Sequence, residues 1–188
     1  MQTQTQTKIV NGVNVTRLFE TIGSIKENKE IAKFNFRAQN KWINGTENHT
    51  TVNEFYGACK THTRSKPHTF VKDEPQLLLG EDKGANPVEY LLAGLAGCIT
   101  TSLICHAAAR GIKIDSVESV LEGDIDLQGL LQIDKNVNPG YQGINISFKI
   151  DSDATEETLQ ELIELAKNVS PVGNTISRPT PINVRLAK

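Results

Sequence analysis

The chain has 188 residues, 22% of them charged, with a formal net charge of −2. That length suits one domain, or one domain with a terminal extension, and is ample for a sizeable core. The charge balance excludes an electrostatic case for nucleic acid or an anionic membrane, and three cysteines without framework spacing argue for a reducing, cytoplasmic setting.

The opening Thr/Gln run is polar and uncharged before Lys8 and carries no signal-peptide pattern. With Lys-Ile-Val-Asn-Gly12 it predicts a loose terminus. Residues 14–25 place Val15, Leu18, Phe19, Ile22 and Ile25 at helical spacing, with Asn14 or Thr16 as cap. The amphipathic helix this predicts needs a surface for its apolar face. Residues 31–42 alternate around Phe34, Phe36 and Ala38 as a half-buried strand would, and Asn44-Gly45 signals a hairpin. Residues 50–56 resume as strand, residues 57–59 break it, and a further strand runs through Phe70-Val71, giving an antiparallel meander. Cys59 falls near a strand end and reads as structural. Residues 72–75 are a turn, followed by Leu77-Leu78-Leu79 and an acidic loop.

Residues 86–111 carry every boundary signal of one long helix. Asn86 is a good N-cap, Pro87 suits the first helical position, and Glu89 stands where an acid reaches back to the cap. Arg110 suits the negative dipole end, and Gly111 can take the left-handed C-terminal conformation. No formal charge lies between Tyr90 and Cys105, so most faces of this helix are expected to be covered by protein. Thr100, Thr101 and Ser102, with small residues before them, favour a buried core helix over a membrane span. Those small residues predict close approach of another backbone, in the same subunit or across an interface. Cys98 and Cys105 lie two turns apart, about 10 Å, too far for a disulfide within an intact helix.

Beyond Gly111 the pattern predicts strand over 112–127 with a break at Gly123, loop over 129–143, and strand over 144–150. A second helix follows over 154–169, capped by Ser152 or Asp153, with Leu159, Leu162, Ile163 and Ala166 inward. Ser170-Pro171-Val172 then opens a short helix or turn with Ser170 as N-cap. A last strand runs over 179–187 through Ile182, Val184 and Leu186. The fold class is α+β. No Cys/His grouping has standard metal-ligand spacing, and neither metal nor cofactor is expected.

The run from Gly84-Ala-Asn-Pro-Val-Glu-Tyr through Ala96-Gly-Cys98 resembles the signature of the OsmC/Ohr family of thiol-dependent hydroperoxide reductases. That motif reads G-x-N-P-E-E-hydrophobic, then small residues, then A-A/G-C. A second family landmark, C-P-V, has Ser170-Pro171-Val172 in its place. The resemblance covers residues 33–188. It implies antiparallel sheets packed around a long central helix, an intertwined homodimer with active sites at the interface, and a domain over 31–188 preceded by an extension over 1–30. It further implies hydroperoxide reduction in oxidative-stress defence; the cysteine usage and the charge balance add a cytoplasmic setting with no nucleic-acid or membrane partner.

In the family, the first-motif cysteine attacks the hydroperoxide and the C-P-V cysteine resolves the product as a disulfide. Carried onto this chain, the attacking thiol is Cys98 and the motif acid is Glu89, which reads equally as a plain capping residue. The family pairs this acid with an arginine; Arg37, Arg64 and Arg178 are candidates, none in a motif. Serine at 170 removes the intramolecular disulfide at that position. Three readings follow: a one-cysteine peroxidase recycled by an external thiol, a dimer that binds a small hydrophobic or thiol-reactive ligand without turnover, or a structural dimer with an inert Cys98.

Overall fold

The computed structural model describes residues 7–187. They divide into two compact units, one of residues 7–9 and 14–91, the other of residues 10–13 and 92–187. The Thr/Gln run through residue 6 lies outside the described residues.

Strands β1 (Ile9–Val10) and β2 (Val13–Asn14) form a hairpin. Its turn is Asn11-Gly12, with positive φ at both positions as a two-residue hairpin requires. The Asn11 amide donates to Ile112 O at 2.9 Å, and its oxygen accepts from Ile114 N–H at 2.9 Å. The loose terminus expected over this stretch is therefore an ordered, clamped turn. Helix α1 (Val15–Glu27) follows, with Asn14 rather than Thr16 as cap, its side chain accepting from Arg17 N–H. Val15 is buried, whereas Phe19 and Ile22 remain exposed.

The first unit is built on one antiparallel sheet. β3 (Asn35–Phe36) and β4 (Gln39–Asn44) both pair with one side of β5 (Glu47–Gly57), and β6 (Lys60–Lys72) pairs with the other. The meander is as the alternation predicted, but the single strand expected over 31–42 is two short ones. A 3-10 turn occupies Lys29–Ala32 and the chain breaks after Phe36. Nor are these strands half-buried: Phe34, Phe36 and Trp42 are exposed. The rings of Phe36, Phe55 and His62 stack in series, with the Arg64 guanidinium 5.1 Å from the Phe55 centroid.

Helix α2 (Pro87–Arg110) begins in the first unit and continues through the second. In the second unit β7 (Ser116–Gly123) pairs with β8 (Ile144–Asp151) in strict antiparallel register. Helix α3 (Leu127–Leu130) lies in the connection between them; α4 (Glu156–Val169) and α5 (Pro171–Ser177) follow. Leu95, Ile99 and Leu103 bury one stripe of α2 with Ala166 of α4, against Leu121, Ile146 and Phe148 of the ribbon. Each buried Leu or Ile contributes about 2 kcal/mol, so this stripe, more than helix propensity, holds α2 in its unit.

Three expectations change here. The other faces of α2 are only partly covered: Leu95, Ile99, Leu103, Ala107 and Ala108 are buried, positions such as Cys98 and Cys105 are half-buried, and none of the described residues approaches within 4 Å of where a Cβ on Gly94 or Gly97 would sit. Helix α4 is capped by Thr155, whose hydroxyl accepts from Thr158 N–H at 3.3 Å, not by Ser152 or Asp153; the Ser152 hydroxyl donates to Lys113 O at 2.6 Å and accepts from Ala154 N–H ahead of the helix. Residues 179–187 form no strand, and Ile182, Val184 and Leu186 are 85%, 91% and 94% exposed. The alternation is there, but among the described residues no strand pairs with it.

Candidate active site

The start of α2 is fixed by a reciprocal capping box. Asn86 N–H donates to Glu89 Oε2 at 2.8 Å, and Glu89 N–H donates to Asn86 Oδ1 at 2.8 Å. At the far end Gly111 takes a φ of 75°, and the Gly111 and Ile112 N–H groups close onto Ala108 O and Ala107 O. Both boundaries are as the residues predicted.

The loop that delivers the chain to Asn86 hangs on Asp73, which is 2% exposed. Thr46 Oγ1 donates to its carboxylate at 2.6 Å, and the N–H groups of Glu74, Glu81 and Lys83 donate at 2.9, 3.0 and 3.3 Å. The Thr46 hydroxyl foremost, with the Glu81, Lys83 and Glu74 amides, holds this carboxyl down at about 2, against the opposing effect of burial. Lys83 bridges Glu81 at 2.6 Å and Glu47 at 2.9 Å, which raises its own pKa. In the sequence Asp73 is one polar residue of a turn; its only signal is a short acceptor just before a proline-containing loop.

Cys98 is half-buried, and its carbonyl accepts from Ser102 Oγ at 2.9 Å. It is the twelfth residue of α2, so the positive helix end, whose effect fades within a turn, does not reach its sulfur. Glu89 lies nine residues earlier, about 13 Å along the axis and half a turn round. In one chain, then, the helix does not bring that carboxylate to the thiol. Cys105 is half-buried two turns further on, and Cys59 is exposed at the β5–β6 turn. Among the described residues no group of three His, Cys, Asp or Glu side chains could hold a metal ion.

Ser170 is completely buried between α4 and α5. Its N–H donates to Ala166 O at 3.0 Å, and its hydroxyl accepts from Gly173 N–H at 3.0 Å, so it caps α5 as its place before Pro171 predicted. Val172 and Ile176 pack on the cluster that contains Leu95 and Ile99. The second landmark thus packs on the buried stripe that flanks Cys98.

Of the three arginines, Arg37 is paired with Glu54 at 2.5 Å and Arg64 lies over Phe55, both in the first unit. Arg178 stands in the same unit as Cys98. It edges a cavity of about 420 Å³ floored by Leu95, Ile99, Ile144, Ile146 and Ile176. Cys98 does not line that cavity. Sequence reasoning did not place this cavity.

A family profile described as OsmC-like protein matches residues 80–185. A hydroperoxide reductase of Mycoplasma genitalium is 28% identical over 110 residues, 57% of this chain and 72% of the relative. An OsmC-like protein from Mycoplasma pneumoniae superposes with a TM-score of 0.59 at 19% identity, over 76% of this chain and 87% of the other. An organic hydroperoxide resistance protein, OsmC, from Legionella pneumophila gives 0.51 at 19%, over 76% and 88%. One from Elizabethkingia anophelis gives 0.51 at 24%, over 74% and 86%. At these identities the structural likeness speaks for the fold.

Proposed function

This chain belongs to the OsmC-like protein family, and from that premise we propose that it reduces organic hydroperoxides in oxidative-stress defence, with Cys98 as the attacking thiol and an external thiol as reductant. The observation that carries the reading is the pairing of two positions: a half-buried cysteine at the motif's thiol position, and a capping serine where the family has its second cysteine. The Cys98 thiolate attacks the peroxide's terminal oxygen and the O–O bond breaks, giving a Cys98 sulfenic acid and an alkoxide, which takes up a proton and leaves as the alcohol. An external thiol then attacks that sulfur, forming a mixed disulfide and releasing water. A second thiol releases Cys98 and leaves with the first as a disulfide. Ser170 cannot enter this cycle, since an alcohol forms no disulfide and this one already caps α5.

Glu89 is the acid of the site; within one chain it acts through the start of α2, and it reaches a thiol only across an interface. An intertwined homodimer is supported by the uncovered small-residue face of α2 at Gly94 and Gly97 and by the unpaired strand-like segment 179–187. The protein acts in the cytoplasm. Ligand binding without turnover is the second reading, favoured by the apolar cavity of the second unit.

A brief pulse of cumene hydroperoxide in the presence of dimedone separates these readings. Mass spectrometry is expected to find the adduct on Cys98 at low peroxide and to find none in Cys98→Ser. An unmodified Cys98 under conditions that oxidise free cysteine would sink the peroxidase reading.

A further inference from the structure

We infer that the cavity of the second unit is a binding site for a monocarboxylate with an apolar chain, its carboxylate held by Arg178. The floor is aliphatic, from Leu95 and Ile99 of α2, Ile144 and Ile146 of β8, and Ile176 of α5, with Tyr141, Asn168, Asn174 and Ser177 as the neutral polar part of the lining. Its size, about 420 Å³, is in the range of sites that enclose small organic ligands. Two cations stand at its edge. Lys167 is engaged with Glu164 at 2.6 Å, whereas Arg178, at the C-cap of α5, has no carboxylate partner among the described residues.

An aliphatic floor with one uncompensated charge selects for an amphipathic ligand with one negative end. A guanidinium presents two parallel N–H donors that match a planar carboxylate. A phosphate ester would bring nearly two charges to one available cation, and a neutral alkane or alcohol would leave Arg178 unused. The site does not include Cys98, so it goes beyond thiol chemistry and stands whether or not that thiol reacts.

The test uses the full chain carrying Cys98→Ser, so that no turnover interferes, with decanoate and decanol as probes in isothermal titration. Decanoate is expected to bind saturably and more tightly than decanol. Arg178→Gln is expected to weaken decanoate about 10-fold, the loss of one charge-assisted contact, and to leave decanol unchanged. Ser177→Trp, placed at the exposed rim, is expected to exclude both probes while circular dichroism shows the fold intact. Absence of saturable binding overturns the site, as does binding that Ser177→Trp leaves untouched. Equal affinity for the two probes, or an Arg178→Gln variant that binds decanoate as before, overturns the role of Arg178. Neither outcome alters dimedone trapping at Cys98 in the wild-type chain, so the two readings fail separately.

Discussion

At the scale of single residues, Asp73 is the most constrained acid of the first unit. Its carboxyl is held at about 2 by the Thr46 hydroxyl and three backbone amides, well below its ordinary 3.8. A depressed carboxyl adds stability above its unfolded pKa, about 4, and that stability is lost as pH falls through the folded value. Thermal melting of the wild type is therefore expected to drop between about pH 4 and 2. Asp73→Asn should melt lower at pH 7 and show a shallower fall across that window; parallel curves for the two proteins would refute this. The same scale explains the motif glycine. A Cβ on Gly84 would stand 2.3 Å from Val71 O, the carbonyl that accepts from Tyr90 Oη at 2.8 Å. Gly84 and Tyr90 thus serve the seating of the first turn of α2 on β6, within the first unit.

At the scale of elements, local signals succeeded where their partners lie within a few residues. The capping box, the Gly111 stop and the Ser170 cap all close within about four residues. The β5–β6 turn shows the opposite: Ala58 and Cys59 take φ of 47° and 63°, left-handed values that neither favours. A two-residue hairpin demands that conformation, and the sheet on both sides imposes it. Replacing the pair by Asn-Gly is expected to stabilise the protein by about 1–2 kcal/mol, read from urea unfolding at unchanged slope. A loss of stability would mean that the Cys59 side chain contributes something its exposure does not reveal.

At the scale of the whole molecule, the amount of uncovered apolar surface is the main fact. Leu77 is 92% exposed, the 182–186 segment is nearly bare, and a helix without charge between Tyr90 and Cys105 has one buried stripe. A homodimer would cover such surfaces, with the last segment adding a strand to a neighbouring chain. Ending the chain after Thr180 is expected to lower the mass seen by light scattering from dimer to monomer and to reduce the melting temperature by several degrees. An unchanged mass would remove the last segment from the interface. By itself the sequence determined the α+β class, the long capped helix and the Ser170 cap of α5. Each of those rests on residue identity or on neighbours along the chain. Only the tertiary structure decided that Asn11 clamps the chain 101 residues away, that Asp73 gathers four donors, and that α2, β8, α4 and α5 line a cavity beside Arg178. It also decided that an alternating segment stays unpaired. Periodicity specifies which face of an element is apolar; which distant residues meet that face is set by packing, which no local pattern encodes.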